Sequence, residues 1–206
     1  MLHFAKSITV LQININAPNA FLDNFGLEYA LIHRIETPKI IANCIQKYDV
    51  QAVSDDIYIF KNSTVAVECV KDMQTVLDKW NRQCKDERNV RQITAFGIDT
   101  STCIHVPNSD IYWGKAFDVA NAICTVNRKG GILISANAYS DLVDSGMFKS
   151  LRAIPTQINI LPDTSASLYS IYFVNVEDEG RGKMNLTNRK KTVRFDMGNH
   201  INEQME

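Results

Sequence analysis

Residues 50–60, VQAVSDDIYIF, consist of two short apolar runs separated by the polar triplet Ser54, Asp55 and Asp56. Aliphatic and aromatic residues on both sides of a short polar segment are typical of a β-hairpin. The stretch therefore predicts two antiparallel strands, 50–53 and 57–60, with two acidic side chains at the tip. This tip is the best candidate for a functional site in the chain.

The residues before the hairpin predict one strand and two helices. Residues 7–16 are rich in β-branched side chains and alternate towards their end, which is typical of a strand. Residues 20–34 predict a helix. Thr37 and Pro38 predict the start of a second helix, with Thr as N-cap and Pro at the first helical position.

The residues after the hairpin predict a helix that Ser63 could cap, with a buried stripe at helical spacing. The further predicted elements are a surface loop at 81–89, strands at 90–98 and 103–106, a helix at 114–125, a strand at 132–135, a helix at 138–143 and a strand at 168–174. The order β-α-β-β-α-β followed by more elements predicts an α+β fold with a ferredoxin-like core. Its sheet should be mixed, mainly antiparallel and flanked by helices.

The composition narrows the class of protein. The chain has 206 residues, of which 45% are hydrophobic, and this suits one domain, residues 1–176, followed by a polar tail, residues 177–206. A net charge of −1 gives no reason to expect a nucleic-acid partner. No apolar run approaches the roughly 18 residues of a membrane span, and the N-terminus does not resemble a secretory signal. We therefore expect an intracellular, cytoplasmic protein.

The five cysteines are widely spaced and include no Cys-x-x-Cys pair. The four histidines do not cluster near them. The pattern predicts reduced, buried thiols rather than disulfides or a zinc site.

Three segments, with a fourth at the usual distance, resemble the catalytic domain of class III adenylate and guanylate cyclases. Residues 52–60 are similar to that family's Gly-Asp hairpin, and residues 93–101, ITAFGIDTS, to its strand and turn. Residues 112–122, YWGKAFDVANA, resemble its Trp-Gly motif and helix, and GILIS at 131–135 follows. The diguanylate cyclase domain is a related alternative, but Trp113-Gly114 and the GILIS segment favour class III.

The resemblance implies two divalent metals, Mg²⁺ or Mn²⁺, held by two carboxylates, and active sites formed between two such domains. Asp55 takes the place of the hairpin carboxylate, and Asn14, a neutral side chain, takes that of the first-strand carboxylate. Gln51 stands at the position of the base-reading Lys. The base-selecting position falls near Ile111 and Asp110, and Trp113 follows it as a further candidate nucleotide contact.

The helix after Trp-Gly departs from the family pattern as well. The Asn that holds the ribose corresponds to Asp118, and the Arg that stabilises the developing phosphoryl charge corresponds to Ala122. Among the neighbours, we interpret Asp56 as a turn or surface residue, Asp99 as a solvated turn residue and Lys115 as a surface lysine.

These departures predict a domain without catalysis that acts as a structural or regulatory subunit of a larger assembly and needs no cofactor. Another cyclase-like domain is the expected partner. The alternatives are one half of a heterodimeric cyclase acting on ATP or GTP, in which Asp55 still helps to bind metal, and a nucleotide-binding sensor. A cilium or flagellum is a possible location that no residue specifies.

The tail carries a separate pattern. Lys191, Val193 and Phe195 form Lys-x-Val-x-Phe, which resembles the docking motif for protein phosphatase 1. Thr192, preceded by basic residues, resembles a kinase site, and a phosphate there would place negative charge beside the docking side chains. The other interpretation is a solvated tail.

Overall fold

The computed structural model describes residues 4–15, 26–83, 94–106, 109, 111–127, 130–146, 152–159 and 168–175. The elements in chain order are β1 (Phe4–Ile15), α1 (Leu27–Ile45), β2 (Val50–Ala52), β3 (Ile57–Phe60), α2 (Ser63–Gln83), β4 (Thr94–His105), β5 (Tyr112–Trp113), α3 (Lys115–Val126), β6 (Gly131–Ser135), α4 (Ala136–Asp144), β7 (Arg152–Asn159) and β8 (Leu168–Asn175).

The strands form one mixed sheet in the order β2-β3-β1-β4-β6-β8-β7, and β5 pairs with the end of β4. Only the β4–β6 pair is parallel among these described strands. The run β4-β1-β3-β2 is the strand order of a ferredoxin-like βαββαβ unit. The predicted α+β fold with a mixed, mainly antiparallel sheet is therefore confirmed.

Helices cover both faces of the sheet. Leu11 and Ile13 of β1 pack in one core cluster with side chains of α1, α2 and α4. Ile8 and Val10 point to the other face and pack against Ala116 and Ala120 of α3. We call this second face the α3 face. Because side chains alternate along a strand, Gln12 and Asn14 lie on the α3 face as well.

Close packing of α3 on the sheet depends on Gly97 in β4. A Cβ atom at this position would lie 2.3 Å from the Ala120 carbonyl oxygen and 2.7 Å from the Cys124 backbone nitrogen. Both are backbone atoms, so they cannot move aside without displacing the helix. The absence of a side chain at Gly97 thus sets the height of α3 above β1 and β4.

The prediction that a helix begins at Thr37 is wrong, because α1 continues through Pro38 from Leu27 to Ile45. Pro38 removes one backbone donor from the helix, a substantial local cost. However, Ala30, Thr37 and Ile41 lie on one buried face that spans the proline. Burial of this continuous face favours one helix over two.

Both ends of α2 differ from the prediction. Asn62, not Ser63, caps α2, since the Asn62 side-chain oxygen accepts a hydrogen bond from the Val65 backbone at 3.0 Å. Ser63 instead donates from both its backbone nitrogen and its hydroxyl to the Asp141 carboxylate on α4. At the other end, α2 extends into the predicted 81–89 loop as far as Gln83.

The sequence-based assignment of strands missed two elements and divided a third. Residues 103–106 were predicted as a separate strand, but residues up to His105 belong to the 12-residue strand β4. The short strand β5 and the strand β7 were not predicted. The predicted tail, residues 177–206, lies outside the described residues.

Cys44, Cys69, Cys103 and Cys124 are buried free thiols, as predicted; Cys84 lies outside the described residues. Among those residues, no helix is both long and apolar enough to cross a membrane.

Candidate functional site

The candidate site is built around the turn between β2 and β3. The backbone nitrogens of Val53 and Ser54 both donate to the Ile57 carbonyl, at 2.9 and 3.3 Å, and close the turn. The Ile13 backbone nitrogen on β1 donates to the Asp56 carbonyl at 2.8 Å. The turn is thus joined to the first strand by the main chain itself.

Asp55, the predicted hairpin carboxylate, is exposed at the tip. Its carbonyl oxygen accepts a hydrogen bond of 2.7 Å from the Tyr58 hydroxyl. Tyr58 is buried, and burial raises the pKa of its hydroxyl, with smaller contributions from the negative charges of Asp55 and Asp56. The phenol therefore stays protonated and holds the turn from the side of the helices α1 and α2.

Asp56 is held on the opposite side. Its carboxylate accepts one hydrogen bond of 2.8 Å from the Gln12 side-chain amide and another of 2.6 Å from the Ser54 hydroxyl. Gln12 is only 7% exposed, so its amide has left bulk water. Asp56 is a surface residue, as predicted, but its bond to Gln12 was not foreseen from the sequence.

Gln12 was missed because its partner lies 44 positions away along the chain. A signal is nevertheless present in the sequence. Gln12 and Asn14 occupy alternate positions at the end of a strand whose preceding residues are apolar, and this pattern places two amides on one face.

Asn14, the residue at the position of the first-strand carboxylate, is exposed and pairs with Ala95 of β4. Gln51 lies opposite Ile59 and therefore on the α3 face. Its side-chain nitrogen is buried and has no hydrogen-bond partner among the described residues. Both predicted positions thus present neutral amides on the same face as Gln12.

On α3, Val119, Ala120 and Ile123 are among the residues that face the sheet. Asp118 is exposed and Ala122 is half-buried one turn further along. This part of the helix therefore presents a carboxylate and a methyl group. Lys115 is exposed at the helix start, as predicted.

The end of β4 and the short strand β5 form a ribbon with an apolar side. Ile104 pairs directly with Trp113, and the Val106 backbone nitrogen bonds to the Ile111 carbonyl. Trp113 is 75% exposed, Ile111 61% and Ile104 38%. We call these three side chains the arm patch. The predicted nucleotide contact Asp110 lies outside the described residues.

Asp99 of β4 is buried, so its interpretation as a solvated turn residue is wrong. It is 1% exposed, because it lies in the middle of the sheet, where Val10 of β1 pairs with it. Burial raises the pKa of the carboxyl, and hydrogen bonds from Ser101, Ser135 and the Thr100 backbone partly offset this rise. The Ser101 hydroxyl lies 2.6 Å away.

Solved structures with the same fold were found for nearly the whole chain. Adenylate cyclases from Trypanosoma brucei match with a TM-score of 0.65 and 16% identity, over 86% of this chain and 92% of theirs. The chain has the nucleotide cyclase fold. The resemblance predicted from the four segments is thereby confirmed at the level of the fold.

Other structures with the cyclase fold agree. The guanylate cyclase domain of RhGC from Catenaria anguillulae, solved in complex with GTP, matches with a TM-score of 0.62 and 12% identity, over 85% of this chain and 98% of that one. The adenylyl cyclase CyaB from P. aeruginosa matches with a TM-score of 0.60 and 16% identity, over 88% and 100%. No protein-family model matches the sequence, and no curated protein matches it significantly.

At the cyclase-fold hairpin, Asp55 offers an exposed carboxylate, but the residues around it do not supply the further charged ligands that suit a two-metal centre. Mg²⁺ and Mn²⁺ prefer carboxylate and other oxygen ligands. The Asp56 carboxylate is bound to an amide and a hydroxyl, and the neighbouring strand offers Asn14 instead of a second carboxylate. The described part of the chain contains no group of three or more His, Cys, Asp or Glu side chains able to hold a metal ion.

Proposed function

We propose that this chain is a non-catalytic nucleotide cyclase-like domain, which serves as a structural or regulatory subunit by binding another cyclase-like domain. The observation that carries the proposal is the hairpin. The Asp56 carboxylate, which binds β1 through Gln12, also accepts a hydrogen bond from Ser54, and the first-strand carboxylate position is Asn14. Metal-assisted activation of a hydroxyl group uses two charged ligands, and Asn14 leaves Asp55 without the second carboxylate.

The surface of α3 supports the same proposal. A transferring phosphoryl group is stabilised by preorganised positive charge and hydrogen-bond donors. Ala122 has no donor, and the exposed carboxylate of Asp118 would repel a polyphosphate. Since loss of one such contact typically costs about 2.7–4 kcal/mol of barrier, two unfavourable positions together remove much of the possible rate enhancement.

The arm patch supports binding to a protein. Trp113 and Ile111 are more exposed than large apolar residues of a folded domain usually are, and they adjoin Ile104 across the ribbon. Apolar clusters that contain an aromatic side chain are common at the centres of protein interfaces. A partner that covers this patch would remove it from water.

The test is a cyclase assay of the purified chain with ATP and with GTP in the presence of Mn²⁺. We expect no turnover above the background. Turnover that Asp55→Ala abolishes would contradict the proposal.

Repeating the assay with a copurifying cyclase-like domain tests the heterodimer alternative. In that assay, Asp55→Ala on this chain should leave the partner's activity unchanged. Binding of ATP or GTP to the isolated chain, measured by calorimetry, would instead favour the nucleotide sensor.

We further propose that the tail recruits protein phosphatase 1 through Lys191, Val193 and Phe195. These residues lie outside the described residues, so the proposal rests on the sequence pattern. Val193→Ala combined with Phe195→Ala should abolish capture of the phosphatase, and a Thr192→Glu variant should weaken it. If the intact chain does not bind the phosphatase, the tail has no such role.

A further inference from the structure

The tip of the β2–β3 hairpin is held to β1 by a set of side chains that lie beside Asp55 and Asn14 in the chain, the two positions at which the resemblance implies metal-binding carboxylates. The set consists of Gln12, Ser54 and Asp56, which we call the hairpin clamp. Its two hydrogen bonds, at 2.8 and 2.6 Å, both end on the Asp56 carboxylate. Each oxygen of that carboxylate accepts one of them, Oδ2 from Gln12 and Oδ1 from Ser54.

We propose that Gln12 takes the role of a cation at this hairpin, so that the hairpin clamp closes the turn onto β1 without any metal ion. The inference deepens the proposed function and rests on it in one respect, because both place no metal at the hairpin. It adds a specific residue and a specific consequence. The closed hairpin should be equally stable with and without divalent cations.

The geometry of Gln12 suits this role. Its side chain is almost fully buried on the α3 face, so the amide cannot easily exchange its bond to Asp56 for water. Hydrogen bonds to a charged acceptor are stronger than neutral ones, and low local polarity strengthens them further. The same amide nitrogen lies 3.3 Å from the Ile13 carbonyl, which holds it over the strand.

The main chain and Tyr58 hold the same turn independently. The Ile13 backbone nitrogen binds the Asp56 carbonyl, and the Tyr58 hydroxyl binds the Asp55 carbonyl. The turn is therefore fixed from both faces of the sheet by neutral donors. No positive side chain is paired with Asp56 among the described residues.

The decisive experiment changes Gln12 to its acidic isostere. Gln12→Glu would place a second carboxylate within hydrogen-bond distance of Asp56, and two such carboxylates repel each other unless they share a proton or a cation. We expect this variant to melt at a lower temperature than the wild type in EDTA and to recover in Mn²⁺. The wild type should melt at the same temperature in both buffers.

Two further variants serve as controls. Asn43→Asp adds the same charge at an exposed position of α1, and its melting temperature should not respond to Mn²⁺. Gln12→Met keeps the length of the side chain but loses the amide, and it should lower the melting temperature on the order of 5 °C in both buffers. This variant keeps the proposal testable if Gln12→Glu does not fold.

Two results would overturn the hairpin clamp. One is a wild-type protein that Mn²⁺ stabilises, with the response lost in Asp56→Asn. The other is an unchanged melting temperature in Gln12→Met. Melting requires neither a nucleotide nor a partner. A clamp that fails here leaves the proposed lack of catalysis to be judged by the cyclase assay alone.

Discussion

The hairpin tip and the β4–β5 ribbon expose different kinds of surface to solvent. At the tip, polar groups are exposed, and hydrogen bonds from Gln12, Ser54 and Tyr58 satisfy the Asp56 carboxylate and the Asp55 carbonyl. On the arm, Trp113 and Ile111 leave large apolar surfaces in water. The comparison supports the proposal that this domain binds a protein partner rather than a small charged ligand.

The largest expected effect is on the arm. Trp113→Ala should weaken binding of the copurifying partner about 30-fold or more, because a buried interface Trp commonly contributes about 2 kcal/mol or more. The melting temperature of the isolated chain should hardly change, since Trp113 is mostly exposed there. Biolayer interferometry on the purified pair measures the loss.

Val143→Ala is the matched control for the arm. Val143 is a 42% exposed apolar residue on α4, far from Trp113 along the chain. Its replacement should leave the affinity unchanged. If Trp113→Ala binds the partner as well as Val143→Ala does, the arm patch is not the interface. The proposed contrast between the hairpin tip and the arm patch is then wrong.

An intermediate effect, on the free energy of unfolding, is expected at Asp99. Like Asp56, Asp99 accepts hydrogen bonds from neutral donors, but unlike Asp56 it is buried. Because burial raises its folded-state pKa above the unfolded value, the stability associated with its protonated form is present at low pH. This stability is lost as the pH rises through the folded pKa. Asp99→Asn should therefore raise the free energy of unfolding at pH 7, and the gain should fade below the ordinary pKa of Asp.

Urea denaturation from about pH 3 to about pH 8 checks this sign. Asp56→Asn is the useful comparison, because it removes the charged acceptor of the hairpin clamp. It should lower stability at pH 7. An Asp99→Asn variant that is less stable than the wild type at every pH would show that the Ser101 and Ser135 bonds need the charge.

The smallest effect is expected at Asp55. Its exposed side chain is not used by the hairpin clamp, and its turn contact with Tyr58 is made by the main chain. Asp55→Ala should shift the melting temperature by less than about 2 °C, as most surface substitutions do. Differential scanning fluorimetry with and without Mn²⁺ measures this shift in melting temperature. A shift that depends on Mn²⁺ would indicate that Asp55 binds the metal.

Helices and strands were predictable where the residue pattern of a single segment is enough to specify the element. The alternation of small and apolar residues predicted α3 within one residue at each end, and GILIS predicted β6. The break placed at Thr37 was wrong because local proline rules are weaker than burial of a continuous helix face. β5 has only two residues, too few for any periodicity.

The candidate site was less predictable because its contacts join distant segments. The resemblance located the hairpin and the helix, but it drew attention to Asp55 rather than to the bond between Gln12 and Asp56. The burial of Asp99 depends on the register of β1 and β4, which the residues around it do not specify. The tail and Asp110 lie outside the described residues, so their predicted roles stay predictions.

Electron paramagnetic resonance of Mn²⁺ titrated into the purified chain, with and without GTP, tests the central claim most directly. The account predicts that the signal of free Mn²⁺ is equally strong for the wild type, Asp55→Ala and Asp56→Asn. Stoichiometric binding that strengthens with GTP and disappears in Asp55→Ala or Asp56→Asn would contradict it.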